Sequence, residues 1–361
     1  EYYECIMSME EEHKTEAAAK HTPKVSVIMP VHNSSPFLLE ALQSFQHQTY
    51  RSLELCAYDD CSMDDSLQKL RDFQAANTST GREFRITTSS DLGHDCAKGS
   101  GFARNRAVDS SSGEILVFLD SDDVMMPDRI ELQVEALGSN PTAIVGSRFT
   151  REPEDCTPYY TDWINNMTSK TLYLHQYREC TVILPTWAMR KEIFIQNGMF
   201  YQEKQKYPED LDFFNKHLSN GGSLHKVDKE LTMYRYHPNG ISRQYPGRLL
   251  QQIRIPFLEA RVLQHWDTFT IWGAGKDGRR FINDLSPSIA SKVIAFCDVD
   301  DNKIGRDYYF IKLKKYIPVI HISAACPPFI ICVGTKRYGG QIEKNIQSLG
   351  HEEGKDYFHF M

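Results

Sequence analysis

The apolar positions in the first part of the chain alternate between two periods. Short, nearly continuous apolar runs of the kind found in buried strands occur at 25–31 (VSVIMPV), 53–60 (LELCAYDD) and 114–120 (EILVFLD), with a weaker strand pattern in REFRIT. Between and after them lie stretches with apolar residues at helical spacing, such as GFARNRAV and MPDRIELQVEAL. This alternation of strands and helices predicts a parallel, doubly wound α/β sheet.

Two of the predicted helices carry local start signals. Ser35-Pro36 predicts a helix that runs to about His47, since proline is accepted in the first helical turn. Ser62 and Asp65 have the spacing of a capping box, in which two side chains satisfy backbone N–H groups at a helix start. This pair predicts a helix that continues through Phe73.

The same alternation divides the chain into four segments. Residues 1–23 are charged and lack a sustained apolar stripe, which predicts a disordered or weakly helical tail. Residues 24–248 hold the first α/β pattern, and a helical linker is predicted at 249–265. At 266–361 the strand–helix alternation resumes, which predicts a second, smaller Rossmann-like α/β domain.

Composition narrows the class of protein. The 361 residues are 41% hydrophobic and 25% charged, with a net charge of −7, which is typical of a globular protein without a generally basic surface. The nine cysteines are scattered singly, which predicts reduced thiols. No apolar run has the length of a membrane span, and no signal-peptide core is visible. We therefore expect no membrane partner and a cytoplasmic, or also nuclear, location; no protein partner is deducible.

Polar residues follow three of the predicted strands. They are residues 30–33 (PVHN), 59–60 (DD) and 120–123 (DSDD). In an open parallel sheet, ligands bind beyond the carboxyl ends of the strands. Crowded carboxylates there are relieved by a divalent cation, and oxygen donors of this kind suit Mn²⁺ or Mg²⁺, which keep coordination positions for substrate phosphates. For the DSDD segment by itself, a solvated loop of helix-capping aspartates is the alternative.

Six segments along the first α/β pattern carry these polar strand ends and their surroundings. They are VSVIMPVHN, YDDCSMDDS, GFARNRAV, GEILVFLDSDDVMMPDR, YPEDLDFF and YRYHPNGIS. Their content and order resemble the motif set of family 2 glycosyltransferases, which are inverting, metal-dependent enzymes with the GT-A nucleotide-sugar-binding fold. The resemblance covers about residues 24–245 and implies a UDP-sugar as the donor substrate.

The resemblance also implies roles on the donor side of the site. Asp120 and Asp122 are the expected metal motif, in which Asp122 ligates the metal at the diphosphate and Asp120 also approaches the ribose. His237 is expected to contact the metal or the diphosphate, with a structural histidine as the alternative. Arg104 is expected to bind the diphosphate through its guanidinium group, with a solvated helix face as the alternative. The remaining donor-binding residues are Pro30, His32 and Asn33 at the base, Asp60 at the uracil ring, and Ser121.

On the acceptor side, the resemblance implies that Asp210 is the catalytic base and that Glu209 orients it. Inversion needs one carboxylate that takes the proton of the acceptor hydroxyl, and no second, nucleophilic carboxylate. The alternative is an acidic first helical turn that is stabilised by the helix dipole.

The C-terminal segment contains a glycine motif and several basic residues. Gly273, Gly275 and Gly278, with Asp298 after the next strand, have the context of a dinucleotide-binding fingerprint, although the glycines also suit close strand–helix packing. A basic surface for RNA is the second hypothesis, with scattered solvated charge as its alternative. Its residues are Arg279, Arg280, Lys312, Lys314, Lys315, Lys336 and Arg337.

The resemblance continues into this C-terminal segment and implies a particular substrate pair. The expected reaction is transfer of galactose from UDP-galactose to queuosine in a tRNA, with tRNA-Tyr as the expected one, to give a β-linked galactosyl-queuosine. The alternative is transfer from UDP-GlcNAc to a β-galactoside by a β-1,3-N-acetylglucosaminyltransferase. Two hypotheses from other classes are a catalytically silent nucleotide- or RNA-binding protein, against which Asp120, Asp122 and Asp210 argue, and a dehydrogenase that rests on the glycine motif alone.

Overall fold

Two sheets, one in each half of the chain, form the framework of the protein. A computed structural model describes residues 22–201, 205–237, 240, 245–334 and 341–361, so most of the predicted tail lies outside the described residues. The eight cysteines within these ranges are free. Within the same ranges, no helix combines the length and the apolar character that a membrane span requires.

The first sheet has eight strands. They are β1 (Val25–Val31), β2 (Leu53–Asp59), β3 (Glu83–Thr88), β4 (Ile115–Phe118), β5 (Val124–Met125), β6 (Ala143–Glu152), β7 (Ala188–Arg190) and β8 (Ser223–Arg235). Their spatial order is β3-β2-β1-β4-β7-β6-β8-β5. Strands β1 to β4 are mutually parallel, β7 is antiparallel to both of its neighbours, and β6 pairs with β8 in parallel. The carboxyl ends of β1, β2 and β4 therefore lie side by side.

Helices cover this sheet and bury its central strands. All seven residues of β2 and six of the seven in β1 are buried, as expected for parallel strands that are covered on both faces. The helices of this half are α1 (Leu38–Gln46), α2 (Ser66–Ala76), α3 (Ser100–Ser110), α4 (Arg129–Ser139), α5 (Pro158–Asn165), α6 (Ser169–Leu174), α7 (Lys191–Gln196), α8 (Glu209–Ser219) and α9 (Gly247–Arg261).

Both predicted helix starts were misplaced. The first helix begins at Leu38, after a turn at 35–37. The capping box of Ser62 and Asp65 does not form, because the Ser62 hydroxyl accepts the backbone N–H of Asn33 instead. Asp64 caps α2, since its Oδ1 accepts the Ser66 N–H at 3.0 Å. Ser62 therefore connects the loop after β2 to the loop after β1 and does not cap a helix.

The second sheet has six strands and a Rossmann-like order. The strands are β9 (Phe269–Trp272), β10 (Val293–Asp298), β11 (Asp307–Phe310), β12 (Lys315–His321), β13 (Phe329–Ile331) and β14 (Tyr357–His359), and the helices are α10 (Lys276–Asp284), α11 (Pro287–Ala290) and α12 (Gln341–Leu349). The order β11-β12-β10-β9-β13-β14 is parallel except for the β11–β12 pair. Without edge strand β11, chain order reads 3-2-1-4-5, as in a Rossmann sheet. The predicted fold class is confirmed.

Helix α9 connects the two sheets through a shared apolar core. Buried side chains form one continuous cluster from the first sheet, through Phe257 and Leu258 of α9, to the second sheet. The rings of Tyr177 and Phe358 meet edge to face, with centroids 5.2 Å apart. Arg261 donates to the Leu218 carbonyl at 2.9 Å, so α9 is also tied to the end of α8.

Close packing accounts for the glycine motif of the second sheet. A Cβ at Gly278 would lie 1.9 Å from the Gly273 carbonyl oxygen, and Gly273 has a φ of +112° that favours glycine. Asp298 does not present a free carboxylate: its Oδ2 accepts from Ala274 N and Lys303 Nζ, and its Oδ1 accepts the next two backbone N–H groups. The structure thus favours the packing interpretation of this motif.

The predicted basic surface is only partly within the described residues. Lys336 and Arg337 lie outside them. Lys315 donates to the Ser291 and Val293 carbonyls, and the Arg279 guanidinium lies over the Tyr308 ring at 4.9 Å. These two cations therefore anchor local structure.

We predict that Gly278→Ala lowers the stability of the protein by about 1–3 kcal/mol, because the new methyl group overlaps a backbone carbonyl that cannot move aside. Gly275→Ala is the matched control. Nothing lies within 4 Å of a Cβ there, so this substitution is expected to be tolerated. Urea unfolding followed by circular dichroism measures both, and equal stability of the two variants would contradict the packing interpretation.

Candidate functional site

Three polar strand ends converge at one edge of the first sheet, as the sequence predicts. The Asp60 N–H donates to the Val31 carbonyl at 2.8 Å, and His32 Nδ1 lies 2.6 Å from the Asp60 carbonyl. The hydroxyl groups of Ser34 and Ser121 are 2.6 Å apart, which connects the end of β1 to the loop after β4. The candidate donor site is therefore assembled from residues that are far apart in sequence.

The three carboxylates of the acidic segment after β4 have different partners. Asp120 pairs with Arg104 (Oδ1 to NH2, 2.6 Å), and Asp122 pairs with His237 (Oδ2 to Nε2, 2.8 Å). Asp123 is fully buried, and its Oδ1 accepts the Arg235 N–H at 2.9 Å. One carboxylate oxygen from each aspartate lies within 4.8 Å of the others, which is close enough to share a cation.

The electrostatics of this cluster fit a divalent cation. Burial raises the pKa of Asp122 and, more strongly, that of Asp123, and the neighbouring carboxylates add to both effects. Asp123 Oδ2 is buried without a hydrogen-bond partner in the described part of the chain. Oxygen donors from Asp120 and Asp122, with a nitrogen from His237, match the ligands that Mn²⁺ accepts. The residues present thus fit a metal site.

At the end of β2, Asp60 makes contacts that the sequence analysis did not predict. Asp60 was expected at the uracil ring, but both of its oxygens accept backbone N–H groups from Lys98 and Gly99 at 2.8–3.0 Å. Asp60 therefore holds the loop that leads into α3. Asp59 keeps its Oδ1 without a partner among the described residues, while its Oδ2 accepts Ser62 N at 3.2 Å. Asp59 Oδ1 is thus a second candidate acceptor for a base N–H, beside Asp60.

The other residues expected at the base lie together at the end of β1. Pro30 is half-buried, and the side chains of His32 and Asn33 are exposed and 3.1 Å apart. Asn33 has a φ of +49° and accepts the Met63 N–H at 2.7 Å, so this loop is braced against the one after β2. The loop that carries His32 and Asn33 is thus held in place by hydrogen bonds within the protein.

Arg104, the residue expected at the diphosphate, pairs with two carboxylates in the structure. Arg104 is 5% exposed and lies between two carboxylates, those of Asp120 (2.6 Å) and Glu209 (NH1 to Oε1, 2.5 Å). Its two terminal nitrogens each donate to one of these acids, so both ends of the guanidinium fork already have a partner. The solvated-helix alternative is wrong, because the side chain is buried.

The candidate base lies in the first turn of α8. Asp210 Oδ1 accepts its neighbour's backbone N–H at 2.8 Å, and Glu209 is buried beside it. Burial raises the pKa of Asp210 to about 7, with further contributions from the charges of Glu209 and Glu179. A carboxyl group with this pKa is suited to take up a proton near neutral pH.

Comparison with known proteins agrees with this geometry. Residues 26–198 match the family model for glycosyl transferase family 2. Residues 26–198 are therefore similar in sequence to the glycosyl transferase family 2 domain. The chain is 26% identical over 227 residues to the uncharacterized glycosyltransferase EpsJ of Bacillus subtilis, a match that covers 61% of this chain and 63% of EpsJ. It is 34% identical over 116 residues to an Escherichia coli enzyme named UDP-Glc:alpha-D-GlcNAc-diphosphoundecaprenol beta-1,3-glucosyltransferase WfgD, across 32% of this chain and 42% of WfgD.

The fold is shared with a solved glycosyltransferase structure. The S. aureus TarS 1-349 structure in complex with UDP-GlcNAc has a TM-score of 0.55 and 18% identity, and the match covers 75% of this chain and 84% of that one. The first sheet and its helices thus have the GT-A fold of which TarS is an example. The chain spans 63% of EpsJ and 33% of two Rickettsia glycosyltransferases, which is less than two thirds of their lengths.

Four residues in or beside the candidate site escaped the sequence analysis, namely Asp59, Glu179, Tyr245 and Arg254. Asp59 was passed over in favour of its neighbour Asp60. Glu179, whose charge acts on Asp210, pairs with Arg254 of α9 at 3.0 Å. Burial and the charges of Glu209 and Asp210 raise the pKa of Tyr245, which places its phenol near the catalytic acids. Except for the acidic pair at 59–60, no sequence signal marked these positions.

We predict that Asp122→Asn weakens Mn²⁺ binding in the presence of UDP by roughly 10- to 100-fold, because it removes an anionic ligand. Asp128→Asn is the matched control, since Asp128 is a nearby acid that pairs with Lys229 instead. Electron paramagnetic resonance of free Mn²⁺ measures both. Equal Mn²⁺ affinity of Asp122→Asn and the wild type would contradict the metal assignment.

Proposed function

We propose that this protein is an inverting, metal-dependent glycosyltransferase that moves a sugar from a UDP-sugar to an acceptor hydroxyl. One observation carries the proposal: Arg104 contacts both Asp120 of the metal cluster and Glu209 beside the candidate base. A single side chain, that of Arg104, therefore connects the acids on the donor side to the residue beside the candidate base. Transfer between a bound donor and a bound acceptor requires the two sides to be this close.

The chain's own residues supply the steps of an inverting displacement. The Asp210 carboxylate takes the proton of the acceptor hydroxyl as the acceptor oxygen forms its bond to the anomeric carbon. The bond between that carbon and the β-phosphate oxygen breaks, and UDP leaves with the electron pair. A divalent cation held by Asp122, Asp120 and His237 would offset the charge that develops on the leaving diphosphate. Direct attack from the opposite side converts an α-linked donor into a β-linked product.

Several lines of support bear on the donor. The E. coli relative is named as a UDP-glucose-dependent enzyme, and the TarS neighbour was solved with UDP-GlcNAc. The Asp59 carboxylate offers an acceptor for the N–H of a uracil ring. We propose UDP as the nucleotide and UDP-galactose as the donor, the latter on the motif resemblance alone.

The acceptor we propose is queuosine in a tRNA, with tRNA-Tyr first. Its support is the resemblance to eukaryotic queuosine-tRNA galactosyltransferase, also called beta-1,3-N-acetylglucosaminyltransferase-like protein 1, which extends from the six motifs into FTIWGAGKDGRR and VIAFCDVDDNKI. A cytoplasmic location, or also a nuclear one, goes with that acceptor. The second candidate, transfer of GlcNAc to a β-galactoside, is favoured by the UDP-GlcNAc complex of TarS.

One assay separates these candidates. The full chain is incubated with Mn²⁺, a panel of labelled UDP-sugars, and either queuosine-containing tRNA or a β-galactoside. We expect label from UDP-galactose on the tRNA, with a β-anomeric proton signal in the released nucleoside. Label on the β-galactoside from UDP-GlcNAc would establish the second candidate. UDP binding without label on either acceptor would favour a catalytically silent protein.

We predict that Asp210→Asn lowers kcat about 10²- to 10⁴-fold, because the amide cannot take up the proton. UDP affinity is expected to stay within about threefold of the wild type, since Asp210 acts on the acceptor side. Asp212→Asn, which removes an acid two positions on that pairs with Lys216, is the control with near-normal kcat.

The wild-type pH profile gives an independent check on the same residue. Because the carboxylate form of Asp210 is the active one and its pKa is about 7, kcat/KM is expected to rise with pH and level off above about 7. The pH dependence of kcat/KM reports ionisations of the free enzyme, which is the state to which this pKa belongs. A profile that is flat from pH 5 to 8 would contradict the assignment.

A further inference from the structure

Helix α3 attaches the segment that carries the candidate base to the donor side of the sheet. Asn105 is almost fully buried, and its side-chain amide makes two hydrogen bonds to the Phe200 backbone, at 2.8 and 3.1 Å. A Cβ at Gly101 would lie 2.5 Å from the Tyr201 carbonyl oxygen, so glycine lets this segment approach the helix closely. The GFARN sequence of α3 therefore forms a docking face for residues 200–201, shortly before α8.

The same face ends in a buried chain of charges. Glu209 Oε1 accepts the Ser100 hydroxyl at 2.6 Å and Arg104 NH1 at 2.5 Å. The other arm of the guanidinium, NH2, donates to Asp120 at 2.6 Å, and Arg104 lies against the Phe200 ring at 5.9 Å. A forked, planar guanidinium suits this arrangement, because each of its two arms donates to a different carboxylate, whereas an ammonium offers all its donors from one atom.

We propose that Arg104 is a positioning residue that sets the distance between the base, Asp210, and the donor held at Asp120. The inference rests on the proposed function and goes beyond it, since Arg104 touches no reacting atom. Glu209 transmits the position, because its backbone directly precedes Asp210. This positioning role takes the place of the phosphate-binding role that the resemblance implied for Arg104.

The two roles differ in what substitution changes. Loss of a phosphate ligand weakens UDP binding, whereas displacement of the base lowers kcat and leaves UDP binding nearly intact. A misplacement of about 1 Å can cost about 100-fold in rate. We therefore expect Arg104→Lys, which keeps the charge but loses the fork, to lower kcat about 100-fold. UDP affinity in the presence of Mn²⁺ is expected to stay within about threefold of the wild type.

Glu209→Gln tests the other end of the link. If Arg104 acts through Glu209, the double variant Arg104→Lys/Glu209→Gln loses no more kcat than the more impaired single variant. Arg106→Lys is the matched control. Arg106 is on the same helix but is more exposed, pairs with Asp109 at 2.9 Å and covers the Phe102 ring, so its kcat and UDP affinity are expected to be normal.

The experiment combines steady-state kinetics at saturating UDP-sugar with calorimetric titration of UDP and Mn²⁺, after circular dichroism has checked folding. A kcat loss with normal UDP affinity and a non-additive double variant supports the proposal. UDP affinity reduced tenfold or more by Arg104→Lys, unchanged kcat, or additive losses overturn it. If Arg104→Lys does not fold, Glu209→Gln decides alone by the same kcat and affinity criteria. A wild type that binds UDP but transfers nothing overturns the proposed function, and this inference with it.

Discussion

The site depends on compensation of the negative charge of several carboxylates at the carboxyl edge of the first sheet. Asp123 is fully buried, Glu209 nearly so, and Asp120, Asp122 and Asp210 are close by. Carboxylates in such surroundings are stable as anions only when cations or N–H donors face them. Arg104 and His237 supply two of these partners. What they leave uncompensated at Asp122 and Asp123 is the electrostatic reason to expect a metal ion.

The cost of this arrangement falls on the surrounding structure. Arg129, also fully buried, lies near Asp123 and has a pKa lowered to about 9 by burial, against the opposing effect of that aspartate. Its guanidinium donates to the Phe118 carbonyl at the end of β4 and to Gln133 of its own helix. The strand end that carries Asp120 and Asp122 is therefore held from behind by a cation that does not reach the ligand edge. Arg129 thus supports the strand end from within the fold, whereas Arg104 links Asp120 to Glu209.

The sequence was sufficient for the features that follow from periodicity and strand ends. Strand–helix alternation predicted the sheet, and the position of Asp120 and Asp122 after an apolar run predicted their place at its carboxyl edge. It was insufficient wherever a side chain chooses between partners that are distant in sequence. Arg104 was expected to face phosphate, but in the structure it pairs with Glu209. That partner lies 105 residues further along the chain, so the sequence did not indicate the pair. The choice between Asp59 and Asp60 depended likewise on the loop at 98–99.

Comparison of the two sheets explains why only one edge is a strong candidate site. Both have an acid at the carboxyl end of the strand that follows the first one. In the second sheet, both carboxylate oxygens of Asp298 accept hydrogen bonds. The donors are the glycine loop, Lys303 and the backbone N–H groups of the next two residues. In the first, Asp59 Oδ1 and Asp123 Oδ2 are buried without partners among the described residues. Folded chains rarely leave buried polar atoms unpaired. The unpaired oxygens at the first edge therefore remain available as acceptors or ligands, whereas the acid at the second edge is already fully paired within the fold.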